Sequence, residues 1–373
     1  MKNMLRPMLA LALAIVCGVT AQAGSIAGFG NDSYASQVGY DSFNYSVRKR
    51  MESARLGNFA RGFATAPILA SDEALAMAPS SRTASYASAR RRQLDCVYYN
   101  GFTVWGDMYQ TWARQRTKDG SDGFRYRTTG PAVGFDWSSG GFTLGAATTY
   151  GWGKMKSRDL SHDRKVRTWG LSAYGQYDTD LFYINATLGY GHNSFKSSRD
   201  AAVTYGNNHD KYSANSWNID GEFGFKFNWS GLKITPNVGI RYFNDRRGSI
   251  HESGSNYVIH ANTRNYNVFE LPVGVHLAYE INAGGAVIVP RVHAAWVPEL
   301  SRKRGSWEGT YTVNGVTVPY SENAARRNRH GFRVGGGIEA KITKSISAHI
   351  DYACNFRSKS YQHHWNLGLG FTF

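Results

Sequence analysis

The sequence predicts an all-β protein, an antiparallel transmembrane barrel of about 12 strands with a short, partly helical N-terminal segment. Three observations carry this reading. From about residue 98 onward, apolar and polar residues alternate with period two in about twelve segments of ten residues or more, long enough to cross a thin hydrocarbon layer when tilted. Charged residues are 19% and the mean hydropathy is −0.43, yet aromatics reach 14%, as expected of strands with one wet face and one lipid-covered face. Finally, short and long connections alternate along the chain, as short periplasmic turns and longer external loops would produce.

The first residues, "MKNMLRPMLALALAIVCGVTAQAGS", read as an export signal: Lys2 and Arg6 form a basic head, Leu9 to Val19 an apolar run, and Ala21-Gln22-Ala23 a cleavage site. Residues 1–23 are set aside as a signal peptide. Cys17 sits poorly for a lipoprotein box. The mature chain keeps only Cys96 and Cys354, which describes no disulfide framework. Cys354 falls on the lipid-facing side of its strand.

Residues 24–80 read as a short N-terminal segment. Gly24 to Tyr45, rich in glycine, serine and tyrosine, is expected as loop or weakly ordered strand, and Val47 to Met77 has helical composition. Residues 81–96, "SRTASYASARRRQLDC", are expected as a linker or plug helix entering the barrel, with Arg90, Arg91 and Arg92 meeting acidic groups in the pore.

Residues 97–373 form the expected barrel. Trp217, Ile219, Gly221, Phe223, Phe225, Phe227 and Trp229 share one face, against Asn218, Asp220, Glu222, Gly224, Lys226 and Asn228. Leu232 to Tyr242 and Ile346 to Phe356 alternate in the same way. Tight turns are read at Ser138-Ser139-Gly140, Asp178-Thr179-Asp180, Ser230-Gly231, Asn282-Ala283-Gly284 and Thr343-Lys344. Longer connections run from Thr117 to Gly123, Ser157 to His162, Ser198 to His209, Arg247 to Asn262 and Arg302 to Asn328. A soluble sandwich would have shorter apolar faces and more frequent turns.

Parity assigns a set of lumenal charges: Glu222, Arg241, Glu270, Glu280, Arg291, Arg333, Glu339 and Asp351. They are expected to pair with one another and with water, or to receive the plug arginines. The net charge of +16 points, in an exported chain, to anionic lipopolysaccharide or to charge inside a pore and not to nucleic acid. Basic clusters at Arg302, Lys303, Arg304 and at Arg326, Arg327, Arg329 flank the longest connection. No cofactor is expected. "GFGNDSY" only faintly echoes an esterase block, and His363 and His364 point to opposite strand faces, so they cannot share a metal.

The stretches "VWGDMYQTWARQRTKDGSDGFRYRTTGPAVGFDW", "FTLGAATTYGWGKMKSRD", "TWGLSAYGQYDTDLFYINATLGYGHNSF" and the closing "LGLGFTF" resemble the translocator domain of the classical autotransporters, over about residues 97–373. The resemblance implies a twelve-stranded outer-membrane barrel, a helix in its pore and an upstream passenger carried to the cell surface. It also implies that Phe373, with Phe371 and Leu369, is a signal for the barrel assembly machinery, and that lipid, lipopolysaccharide and periplasmic chaperones are the partners of a monomer. No catalysis is implied for the barrel. Family members that cut themselves in the pore use a paired asparagine in the linker helix, and this chain has no asparagine between Ala60 and Tyr99. The segment is therefore expected to stay attached. A stand-alone channel or structural protein with the segment as lumen plug is the alternative.

Overall fold

The computed structural model describes residues 31–64, 101–117, 123–157, 162–200, 207–283, 285–301, 306–323 and 328–373. The strands of the main sheet are β1 (Gly101–Gln115), β2 (Phe124–Ser139), β3 (Phe142–Ser157), β4 (His162–Asp178), β5 (Phe182–Asp200), β6 (Asn207–Phe225) and β7 (Leu232–Arg247). Next come β8, in two segments (Arg264–Glu270 and Val273–Tyr279), β9 (Ala286–Pro298), β10 (His330–Lys341), β11 (Ile346–Arg357) and β12 (Ser360–Thr372). Each pairs antiparallel with its neighbours in sequence. The last strand returns to the first, from Thr103 opposite Thr372 to Gln115 opposite Ser360. The sheet is thus a closed barrel of 12 strands, with no open edge in lipid. Pro272, which has no N–H to donate, separates the two segments of β8 without a change of register.

The turns follow from their residues. Gly140 and Gly141 both have positive φ (55° and 86°), as do Ser230 and Gly231 (50° and 85°). These are two-residue turns whose twist matches that of the flanking strands.

The outer face carries an almost wholly apolar surface, and the inner face mixes polar and charged residues with aromatics such as Trp105 and Tyr109. Trp105, Asp107, Tyr109 and Thr111 of β1 are buried, whereas Val104, Met108 and Trp112 are exposed. Exposed aromatics bracket the band: Trp112, Trp152, Trp169, Trp217 and Trp296 toward the long connections, Trp137, Phe142, Phe225, Trp229 and Tyr279 toward the turns. At a rise of ~3.3 Å per residue and the usual tilt, Trp217 to Trp229 spans roughly 28 Å, the thickness of a hydrocarbon core.

Two features depart from the sequence expectation. The stretch up to Tyr45, read as loop or weak strand, is helical from Asp32: α1 (Asp32–Ala64) has 33 residues and is roughly 50 Å long at ~1.5 Å per residue. The connections at 247–262 and 302–328 are not plain loops either. They supply Ile250–His251, Tyr257–Ala261, Ser306–Val313 and Val316–Asn323, a separate four-stranded sheet. Its Asn314-Gly315 turn (φ 48° and 82°) is a strong hairpin signal. Tyr257, Ile259, Tyr311 and Val313 of this sheet pack with Tyr34 and Val38 of α1 and with Phe195 and Tyr212 of the barrel, covering the mouth at the long-connection end.

Closure is tested at its seam. The hydroxyls of Thr103 and Thr372 lie 3.0 Å apart, so Thr103→Cys with Thr372→Cys, in a chain with serine at its native cysteines, should form an intrachain disulfide on oxidation. Electrophoresis before and after reduction reads the outcome.

Candidate functional site in the barrel lumen

α1 occupies the lumen. From Asn31 to Leu56 nearly every residue is buried, polar and apolar alike. A helix with polar groups all round is stable only where those groups find partners, and here the barrel wall supplies many of them.

At the long-connection end, Asp32 pairs with Arg164 of β4 at 3.1 Å and accepts from the Tyr212 hydroxyl at 2.6 Å. Further in, Tyr34 accepts from Gln362 (2.6 Å), Ser42 meets Thr111 (2.7 Å) and Ser46 accepts from Asn366 (2.6 Å). Midway, Arg241 of β7 binds Asp41 of α1, Asp220 of β6 (2.8 Å) and Glu270 of β8 (3.1 Å), while Asn44 donates to Asp220. On the opposite wall Arg50 holds Asp136 of β2 through two bonds of 2.6 and 2.7 Å, a planar fork-to-fork contact.

Toward the turn end a second network forms. Arg291 of β9 grips Asp351 of β11 (3.0 and 2.6 Å) and Glu339 of β10 (3.0 Å); Lys49 reaches Glu52 (2.8 Å) and Asp351 (3.4 Å), and Ser53 donates to Glu339 (2.8 Å). Arg55 lies over the Tyr183 ring, 3.7 Å from its centroid, and Leu56 packs with Ala278 and Val289. Buried pairs of this kind add little net stability, because desolvation offsets their attraction. What they fix is register and direction. The wall is also shaped for α1: a side chain at Gly189 would overlap the Tyr40 hydroxyl.

The predicted lumenal residues take the following places. Arg241, Glu270, Arg291, Glu339 and Asp351 are buried in these networks. Glu222 accepts from Tyr183 (2.7 Å), Glu280 pairs with Lys233, and Arg333 donates to Asn355 (2.8 Å). Glu222 and Arg333, with Arg48, His276 and His293, line a residual cavity of about 70 Å³ beside α1. Arg90, Arg91 and Arg92 lie outside the described residues, as do Arg302 to Arg304, Arg326 and Arg327; the helical cations that meet the wall acids are Lys49 and Arg50. Leu369, Phe371 and Phe373 face outward, and the Phe373 amide donates to Phe102 at 2.9 Å. Cys354 shares its strand face with Tyr352 and Phe356, away from the buried Asp351. His364 is buried against Thr111 (2.8 Å), whereas His363 meets Tyr352 on the outer face (2.6 Å). Within β10, Gly335 lies against His293 and Gly337 against Asp351.

Sequence reasoning missed the helical half of the site, Asp32, Asp41, Lys49, Arg50 and Glu52. It also missed Asp136 and Arg164, although parity within β2 and β4 turns both inward.

A closed barrel with a lipid-facing apolar band and a filled polar lumen is the architecture of an outer-membrane β-barrel. Residues 104–353 match the family model "Autotransporter beta-domain", and the chain belongs to that family. It is an outer-membrane β-barrel of the autotransporter type, located in the bacterial outer membrane. Among curated proteins it is similar to "Outer membrane protein A" of Rickettsia conorii, 27% identical over 159 residues, covering 42% of this chain and 8% of that one. The same-named protein of Rickettsia rickettsii is 27% identical over 129 residues, 34% of this chain and 6% of that one. The chain thus spans under a tenth of the length of these relatives. Its fold is similar to the translocator domain of the autotransporter NalP from Neisseria meningitidis (TM-score 0.61, 16% identity, 79% of this chain and 98% of that one). It is also similar to the β-domain of the Bordetella autotransporter BrkA (0.57, 15%, 74% and 100%) and the transport unit of AIDA-I from Escherichia coli (0.53, 14%, 73% and 90%).

Arg291→Ala should leave Asp351 and Glu339 without their shared cation and cost about 3–5 kcal/mol, the scale for breaking a buried pair from one side. The temperature at which the folded barrel loses its compact electrophoretic mobility should fall. An unchanged transition would show that the network carries no such weight.

Proposed function

We propose that the barrel is a surface anchor that retains α1 as a fixed lumenal plug and presents the chain preceding Asn31 outside the cell. The single observation that carries this reading is the direction of the helix. Asp32 is held by Arg164 and Tyr212, near the long-connection ends of β4 and β6, whereas Arg55 and Leu56 lie among residues next to the tight turns. Since longer connections of outer-membrane barrels are external and short turns periplasmic, the chain upstream of α1 leaves by the outer mouth. The aromatic bands and apolar wall seat the barrel in lipid, and lipopolysaccharide meets the external connections. Phe373, with Phe371 and Leu369, supplies the assembly signal, and periplasmic chaperones carry the monomer to the assembly machinery. The barrel performs no bond-making chemistry.

The asparagine-free stretch from Ala60 to Tyr99 covers only the last residues of the helix found in the pore, which contains Asn44 in the lumen and Asn58 further along. The Asn44 amide donates to Asp220, a carboxylate already engaged by Arg241 (2.8 Å) and Asn218 (2.7 Å). A carboxylate so occupied is a poor base for activating the amide against its own carbonyl, so Asn44 does not cleave α1.

An epitope at Ser36 would sit inside the wall, where Ser36 is fully buried. Placed ahead of Asn31, it should bind antibody on intact cells, and the chain should keep its full mature mass. Binding only after permeabilisation would reverse the direction of α1. A barrel beginning at Tyr45 would show that the helix is cut.

A further inference from the structure

We propose that the external sheet carries a two-histidine site for a transition-metal dication of the zinc, copper or nickel class, formed by His251 and His260. The proposal does not rest on the plug reading, since the site lies on the solvent side of the outer sheet.

The two residues stand directly opposite each other on antiparallel strands, Ile250–His251 and Tyr257–Ala261. Their Nδ1 atoms face each other at 3.1 Å. With metal–nitrogen bonds of about 2.0–2.1 Å, that separation corresponds to a nitrogen–metal–nitrogen angle of roughly 100°, between the square-planar and tetrahedral values. A metal ion can therefore enter between the nitrogens with little rearrangement of the backbone.

The surroundings also accommodate the tautomer a metal ion requires of His251. Nε2 of His251 lies 3.2 Å from the Ser249 hydroxyl. A proton on Nε2 donated to that oxygen leaves the Nδ1 lone pair free, the outer-shell arrangement that orients histidine ligands. The strand bearing His251 is held in place next to β6: the His251 amide donates to Asp210 at 3.2 Å, and Ser253 exchanges backbone bonds with His209 at 2.9 and 3.1 Å. On the inner side, Glu252 is locked by Arg199 at 2.8 Å and accepts the Ile259 amide at 3.1 Å. The imidazoles are thus mounted on a pinned hairpin whose buried carboxylate, Glu252, is already paired.

Two imidazoles supply half of a four-coordinate shell, and water completes it. The affinity is expected to fall below that of closed structural sites, in which the protein supplies all four ligands. Each ligand comes from a different strand, so the ion would clip together the two ends of the segment between them.

The test uses the full-length refolded barrel, titrated with ZnCl₂, NiCl₂ or CuCl₂ alone by calorimetry, with copper followed by electron paramagnetic resonance. One site is expected. His251→Ala and His260→Gln should each weaken it at least tenfold, with the two-nitrogen copper signature falling to one nitrogen in each. Both positions are on the outer sheet surface, and unchanged heat-modifiable mobility would show that the barrel still folds. His192→Ala, at an exposed histidine bonded to Asn215 (2.7 Å), should leave the site intact. If the double variant binds as tightly and in the same ratio as the parent, or the parent binds none of the three ions, the proposal is overturned.

Discussion

A bilayer offers no hydrogen bonds, so every backbone N–H and C=O between the two aromatic bands must find its partner within the chain. The seam between β1 and β12 is where this requirement is met or lost, because all other pairings within the barrel wall join strands adjacent in sequence. From it follow the even strand count, the alternation of short and long connections, and both barrel ends lying on the turn side. The terminal alternating strand is the closing stave of the wall and not an exposed edge.

Closure in turn produces a second demand. The wall residues that face inward are polar because the lipid side takes the apolar ones, and they enclose a space that must be filled by water or by protein. α1 fills it with serine, asparagine, tyrosine and paired charges. The usual relation between burial and hydrophobicity is therefore inverted: Ser36, Asn44 and Lys49 are interior residues, while Trp229 and Leu367 are exposed to the apolar solvent. Arg241 and Arg291 hold the arrangement together, each bringing acids from several elements to one guanidinium.

This inversion explains what was legible in the sequence. The strands and most turns could be read, because a period of two and residues such as Ser230-Gly231 report directly on pleat and turn geometry. Inward parity also found Arg241, Glu270, Arg291, Glu339 and Asp351. The helix could not be read from periodicity. Set in a largely polar wall, "DSYASQVGYDSFNYSVRKR" has no dominant apolar stripe, and its serines, glycine and asparagine carry weak helix propensity. The remaining signals were the Asn31-Asp32-Ser33 cap and the lack of proline until Pro67. The external sheet was missed for another reason. "TYTVNGVTV" carries an Asn-Gly hairpin signature, but it lies within a connection whose length alone suggested loop.

The proposed role of α1 requires that it seal the pore. Ionic conductance across a planar bilayer tests it most directly, comparing the full barrel with one lacking residues 24–64. The full chain should stay near the baseline, and removing the helix should open a steady current at least severalfold larger. Equal conductance from two folded barrels would mean that the helix does not close the lumen.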